Sequence, residues 1–143
     1  MLDERMYGRV AESSQKEFLA IELSPSSRRH LLSWWQGATG ILLLKNLFAH
    51  HITIKPDPTP DELKRFAIGS KLSVRVSGWA ADGKGQVAVV TGIGLPDGRT
   101  PHVTIATSGI RPAYSNELLR SGHVAASGPR LDGEVKMLPR FPG

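Results

Sequence analysis

The chain has 143 residues, of which 40% are hydrophobic and 22% charged, with 15 glycines and 10 prolines. This composition is typical of a globular protein rich in turns, and it excludes a coiled coil, a collagen and a disordered chain. The sequence contains no cysteine, which excludes disulfides and thiolate metal sites and fits a reducing compartment. A net charge of +5 favours polyanionic partners such as nucleotides or RNA, although many basic proteins bind neither.

We expect a single domain over residues 1–143, because a chain of this length has room for one compact core. The apolar run Ile41 to Leu44 is too short to cross a bilayer. The first residues include Asp3, Glu4 and Arg5 instead of the apolar core of a signal peptide. The sequence therefore predicts a cytoplasmic protein that makes no membrane contact, and we expect it to be a monomer.

The first predicted elements are a strand and a helix. Glu17 to Leu23 mixes alternation with bulky apolar residues, which is typical of a half-buried strand. Ser24 and Pro25 are typical of a helix N-cap and first helical residue, and we expect this helix to end at Gly37. The segment 41–54 is long for one strand, so it predicts an apolar strand or short helix followed by a strand ending in HHITI.

The second half of the chain predicts antiparallel hairpins between short helices. A capping box at Thr59 to Glu62 opens a helix that we expect to end near Gly69. The alternating segments 71–79 and 86–93 flank the turn AADGKG and predict a hairpin. The remaining predicted elements are a strand over 101–107, a short helix capped by Ser115, and a strand over 131–138. Helices and strands in this irregular alternation predict an α+β domain.

One short pattern occurs twice, as HITI at residues 51–54 and as HVTI at residues 102–105. Residues two apart on a strand point to the same face, so each histidine shares a face with its threonine while the apolar residues point to the core. If the two strands are neighbours, two imidazoles and two hydroxyls converge on one patch. A single H-x-T is easily a chance match, and the second copy favours the functional interpretation.

Such a patch suits attack on a phosphodiester. One neutral imidazole accepts a proton from water while the other, as imidazolium, protonates the leaving oxygen. Thr53 and Thr104 are candidates to donate hydrogen bonds to the phosphate oxygens, and the scheme requires no metal or other cofactor. The sequence leaves open which histidine is the base, and our working hypothesis places the attacking water nearer His102.

Further candidates for substrate binding follow the second motif. The loop after it contains the candidates Ser108, Gly109 and Arg111. The glycine allows close backbone approach to a phosphate and Arg111 is able to pair with one, although an ordinary exposed loop explains them equally well. Trp79 and Tyr114 lie near predicted turns and are candidates for stacking on a nucleobase. Three other histidines are interpreted as structural or solvated, with His50 pointing away from His51: these are His30, His50 and His123.

The two motifs and their context resemble the two-histidine (2H) phosphoesterase superfamily, most closely its 2',3'-cyclic-nucleotide 3'-phosphodiesterase branch. The resemblance covers roughly residues 18–120: Phe18 to Trp35 is similar to the opening strand and helix, 71–90 to the hairpin between motifs, and 102–119 to the second motif, loop and helix. It implies an α+β, bilobal 2H fold in which two pseudo-symmetric lobes with antiparallel sheets surround a central cleft.

The resemblance also implies an activity, namely metal-independent hydrolysis of 2',3'-cyclic phosphates of nucleotides or RNA ends to 2'-phosphates. His51 and His102 would be the acid–base pair, and Thr53 and Thr104 would bind the phosphate. The motifs are 51 residues apart, closer than in longer family members, so the choice of substrate stays open. The alternatives are a hydrolase of cyclic oligonucleotide signals, an RNA-end ligase-like enzyme, or a nucleotide- or RNA-binding module without turnover.

Overall fold

The computed structural model describes residues 17–139. Within these residues the chain forms eight strands and three helices, so the predicted α+β class is confirmed. The strands are β1 (Glu17–Leu23), β2 (Asn46–Leu47), β3 (His51–Pro56), β4 (Lys71–Ala81), β5 (Gly85–Thr91), β6 (His102–Thr107), β7 (Val124–Ala125) and β8 (Arg130–Pro139). The helices are α1 (Pro25–Thr39), α2 (Pro60–Arg65) and α3 (Tyr114–Arg120).

The strands pair antiparallel in the order β2-β6-β3-β1-β8-β4-β5, with β7 added to β4. Because β5 also pairs with β6, six of the described strands form a closed ring of pairings, β6-β3-β1-β8-β4-β5. Closure protects the backbone groups that an open sheet leaves unpaired at its edges. The predicted antiparallel sheet is confirmed, whereas the division into two lobes stays a prediction.

Alternate residues of these strands form one core. Leu19 and Ile21 of β1 are at most 1% exposed and belong to the same buried cluster as Ile52 of β3 and Val103 of β6. Helix α1 covers this cluster with Leu31 and Trp35, which lie one turn apart on one face and are both fully buried. Each such side chain contributes about 1.5–3 kcal/mol on burial, so the core holds the two motif strands rigidly in place.

The first helix begins where the sequence predicts and ends later. The Ser24 hydroxyl accepts a hydrogen bond from the Ser27 amide at 3.1 Å, as expected of an N-cap. The predicted end at Gly37 is wrong, because the helix continues to Thr39 and terminates at Gly40, whose φ of 66° is left-handed. An interior glycine costs a helix only about 1 kcal/mol, which the packing of α1 on the core outweighs.

Three other predicted details differ from the structure. Helix α2 has the predicted capping box at Thr59 but ends at Arg65, since Phe66 leaves the helix to enter the core. The segment 41–45 forms neither strand nor helix. Ser115 does not cap α3, because the N-cap is Ala113 and the Ser115 hydroxyl is engaged elsewhere. Among the described residues, no helix is long and apolar enough to cross a membrane.

Candidate active site

The two repeated motifs lie on neighbouring strands. Strand β3 pairs antiparallel with β6, with Ile52 opposite Val103. These two side chains are completely buried. Extending the register by one residue in each direction places His51 opposite Thr104, and Thr53 opposite His102. Because side chains alternate along strands, the two histidine–threonine pairs share the face that is turned away from the core.

The four motif side chains line a single cleft of about 400 Å³. This volume lies within the range of roughly 300–1,000 Å³ that is typical of small-molecule sites. Of the remaining residues that the sequence suggested for substrate binding, Arg111 also lines the cleft. The cleft residues that sequence reasoning missed are Phe18, Pro56, Arg99, Pro112, Ala113 and Asn116.

The other four suggested residues do not line the cleft, and their contacts explain why. The Gly109 amide donates to Asn46 Oδ1 at 2.8 Å, and the Ser108 amide donates to the Lys84 carbonyl at 3.0 Å, so this loop is bound to β2 and to the turn between β4 and β5. Trp79 packs edge-on against Trp35 at 5.9 Å between ring centroids. The Tyr114 hydroxyl donates to the Asp82 carboxylate. The position of Trp79 and Tyr114 near turns therefore did not identify aromatic side chains that line the cleft.

Arg99 provides a fixed positive charge at the cleft. It lies in the turn before β6, where its Nε donates to Asp97 and its Nη2 donates to the Ile54 carbonyl of β3 at 2.9 Å. With Arg111, it gives the cleft two guanidinium groups, and no carboxylate is found among the described lining residues. Such a site favours an anion, because guanidinium groups form charge-assisted hydrogen bonds with phosphate oxygens. No local pattern in the sequence indicates this contact, because Arg99 and Ile54 are 45 residues apart.

The ring of His102 is held by the backbone. Its Nδ1 is 2.8 Å from the carbonyl oxygen of Thr100. A carbonyl only accepts hydrogen bonds, so Nδ1 carries the hydrogen and Nε2 of the neutral ring has the lone pair. Burial lowers the pKa of His102, the positive charge of Arg99 lowers it further, and the hydrogen bond to Thr100 opposes both.

His51 is more strongly perturbed. Its pKa is lowered to about 4, chiefly by burial and then by the neighbouring imidazoles of His50 and His102, while the Glu22 carboxylate opposes the change. Its ring packs against Phe18 at 5.1 Å between centroids. Both motif histidines are therefore neutral in the empty cleft near neutral pH. The predicted opposite protonation states require a bound anion to raise the pKa of one of them.

The prediction that His50 points away from His51 is wrong. The two Nδ1 atoms are 3.2 Å apart, and His50 Nε2 is 3.1 Å from the Glu22 carboxylate. Side chains alternate only within a regular strand, and His50 is outside one, because β3 begins at His51 and Ala49 has a φ of 49°. A left-handed residue turns the backbone, so the side chain that follows it does not continue the strand pattern.

The two motif threonines differ in their hydrogen bonds. Thr104 Oγ1 is 2.8 Å from Ser115 Oγ and 3.4 Å from the Pro112 carbonyl. If Ser115 donates to Thr104, the Thr104 hydroxyl is available to donate to a bound oxygen in place of the weak bond to Pro112. The Thr53 side chain lines the cleft, and no hydrogen bond joins it to another of the described residues 17–139.

A larger cavity of about 720 Å³ lies between β1, β4 and β8. Its described lining includes no histidine, and four of its charged side chains form two ion pairs, Lys136 with Glu22 and Arg130 with Asp132. Within residues 17–139 no three histidine or carboxylate side chains cluster as metal ligands would. The smaller cleft is therefore the better candidate for a reactive site.

A scan against protein-family models matches no family, and a search of the curated proteins finds no match. The function is therefore inferred from the geometry and electrostatics of the cleft. These define a class of site: paired histidines and threonines at the junction of two strands, with arginines beside them.

Proposed function

We propose that this protein is a metal-independent phosphodiesterase that hydrolyses 2',3'-cyclic phosphates of nucleotides or RNA ends to 2'-phosphates. The observation that carries the proposal is the antiparallel pairing of β3 with β6, with Ile52 opposite Val103. This pairing puts two imidazoles and two hydroxyls into a cleft that also holds Arg99 and Arg111. An acid, a base and donors to anionic oxygen are the groups that phosphodiester hydrolysis needs.

In the proposed reaction, His51 Nε2 takes a proton from water as the water oxygen attacks phosphorus. The bond from phosphorus to the 3' oxygen breaks, and His102 Nε2–H protonates that oxygen. The two threonine hydroxyls and the arginines stabilise the charge that builds on the non-bridging oxygens. Proton exchange with solvent then returns both histidines to their starting states.

This assignment reverses our hypothesis that the attacking water lies nearer His102. The pKa of His51 is lowered to about 4, so His51 stays unprotonated when an anion binds. His102 is also lowered, but its hydrogen bond to Thr100 favours the protonated form. The negative charge of a bound phosphate raises the pKa of a nearby imidazole, so His102 would become protonated before His51. His102 is therefore the better acid.

The strand order supports a 2H-like, two-lobed arrangement as part of the proposal. Strands β3, β1 and β8 form one half of the ring, and β6, β5 and β4 form the other. Exchanging β3 with β6, β1 with β5 and β8 with β4 leaves the pairings unchanged. The cleft lies at the junction of β3 and β6, where a pseudo-two-fold axis would relate the two motifs.

Incubation of the pure protein in EDTA tests the function. The substrates are 2',3'-cyclic nucleotides, a short RNA with a 2',3'-cyclic end, 3',5'-cyclic nucleotides and cyclic dinucleotides, and the products are separated as 2'- or 3'-phosphates. We expect 2'-phosphates from the first two substrates and none from the His51→Ala/His102→Ala double variant, which controls for contaminating enzymes. Binding of these ligands without turnover would instead support a binding module, and turnover of the cyclic dinucleotides alone would support a signal hydrolase.

The pH dependence of kcat/KM tests the assignment of acid and base. We expect a bell-shaped profile with its maximum between about pH 4, where His51 becomes protonated, and pH 6.5, the ordinary pKa of histidine, below which His102 titrates. The two limbs report the pair rather than single residues. A maximum on the alkaline side of neutrality would contradict the lowered pKa values on which the assignment depends.

A further inference from the structure

A series of polar side chains extends from His51 away from the cleft. Lys136 of β8 and His50 both bind the Glu22 carboxylate of β1, Lys136 Nζ at 2.5 Å from Oε1 and His50 Nε2 at 3.1 Å from Oε2. His50 Nδ1 then lies 3.2 Å from His51 Nδ1. Glu22 is also the residue directly opposite His51 in the pairing of β1 with β3. The strand register therefore places Glu22 and His51, two members of the series, side by side.

The direction of each hydrogen bond follows from the carboxylate. The hydrogen bond from Lys136 lowers the pKa of Glu22, so this side chain is ionised and only accepts. His50 Nε2 consequently donates to Glu22, and neutral His50 has its lone pair on Nδ1. The hydrogen between the two Nδ1 atoms must then belong to His51. This leaves the lone pair of His51 on Nε2, the atom that a general base would use.

The backbone holds His50 in this position. Arg28 of α1 donates from Nη2 to the Phe48 carbonyl at 3.0 Å and from Nε to the Ala49 carbonyl at 3.1 Å. The Leu23 amide donates to the His50 carbonyl at 3.0 Å. These bonds secure the left-handed turn at Ala49, a conformation that is strained for a residue other than glycine. The placement of His50 beside His51 is therefore maintained by several independent contacts.

We propose that His50 and Glu22 form a positioning pair that holds neutral His51 in the Nδ1–H tautomer, with the lone pair on Nε2 for proton abstraction. The role in catalysis rests on the proposed phosphodiesterase function. His50 acts through His51, since it lines a separate cavity with Glu22, Arg28 and Arg29 and not the cleft. His102 needs no such pair, because the Thr100 carbonyl fixes its tautomer.

The arrangement also makes His51 sensitive to the charge on its neighbour. Protonated His50 would donate from Nδ1, which forces the hydrogen of neutral His51 onto Nε2 and removes the base. The charged groups around His50 are Glu22 from β1, which also binds Lys136 from β8, and Arg28 and Arg29 from α1, which line the same cavity.

The test compares two substitutions of His50 that differ in one hydrogen-bond acceptor. In His50→Asn the side-chain oxygen takes the place of Nδ1 and still accepts from His51, whereas His50→Leu removes the acceptor. His30→Leu is the matched control, since His30 is an exposed histidine on α1. Long-range 1H–15N NMR spectra report which nitrogen of His51 carries the hydrogen, and steady-state kinetics with a 2',3'-cyclic nucleotide give kcat and KM.

We expect the hydrogen of His51 on Nδ1 in the wild type, His50→Asn and His30→Leu. The two variants should also keep a kcat near that of the wild type. His50→Leu should show hydrogen on Nε2 of His51 and lose about tenfold in kcat, the equivalent of one hydrogen bond, with KM unchanged. Nδ1–H retained in His50→Leu would overturn the positioning pair. The spectra need no substrate, so they decide the tautomer of His51 even if the wild type shows no turnover. Absence of turnover would refute the phosphodiesterase proposal and not the positioning pair.

Discussion

Alanine at His51 or at His102 is expected to lower kcat for 2',3'-cyclic phosphate hydrolysis by about a hundredfold to ten-thousandfold, the usual contribution of one general acid or base. KM should change little, because Arg99, Arg111 and the threonines still bind the phosphate. The double variant should be scarcely slower than either single variant, since both histidines act in one step and such groups are not additive.

The measurement is steady-state kinetics with circular dichroism to verify folding. His30→Ala is the control, because it removes an exposed imidazole from α1 without touching the cleft. Activity that survives either substitution in a folded variant would refute the proposed mechanism. An increase in KM with kcat unchanged would show that the histidines bind the ligand and do not transfer protons.

Local structure was largely predictable from the sequence. Strand β1 has the bounds that its alternation indicated, and the capping box at Thr59 forms as expected. The hairpin of β4 and β5 follows from alternation on both sides of a turn. These features depend on a few adjacent residues, so they appear in the sequence. Strands β2 and β7 have two residues each and were missed, because so short a strand shows no periodicity.

Contacts between residues distant in the chain were less predictable from the sequence. The sequence placed each histidine on a face with its threonine, but only the fold brings β3 beside β6 and closes the ring through β5. Arg99 contacts Ile54, which is 45 residues distant. No local pattern reports such a contact. His50 was misplaced for a different reason, since the left-handed Ala49 is not a residue type that signals a turn.

Long-range contacts also explain why two of the residues suggested for substrate binding do not line the cleft. Trp79 and Tyr114 were selected because they lie near predicted turns, but Trp79 packs on Trp35 and Tyr114 binds Asp82. A pair of aromatics distant in sequence gains about 0.5–1.5 kcal/mol from an edge-on contact, which outweighs any local preference for solvent. Only the packed structure distinguishes a core aromatic from a binding platform.

Acidification is expected to destabilise the fold by roughly 2 kcal/mol between about pH 7 and pH 5, because of His51 alone. The pKa of His51 is lowered from 6.5 to about 4 in the folded state. The unfolded chain therefore binds a proton more readily than the folded chain, and each proton taken up favours unfolding. This stability is present above the unfolded pKa and is lost as pH falls toward the folded one. His102, whose pKa is also lowered, adds to the loss.

Urea denaturation at the two pH values measures the effect. His51→Gln is the informative variant, since glutamine does not titrate and is close to histidine in length. We expect it to lose most of the pH dependence, and His102→Gln to lose a smaller part. The carboxylates with lowered pKa values, such as Glu22 and Asp82, contribute little here, because their unfolded values of 4.5 and 3.8 lie below this interval. An equal pH dependence in wild type and His51→Gln would mean that His51 is protonated as easily in the fold as in water, which would remove the basis for making it the base.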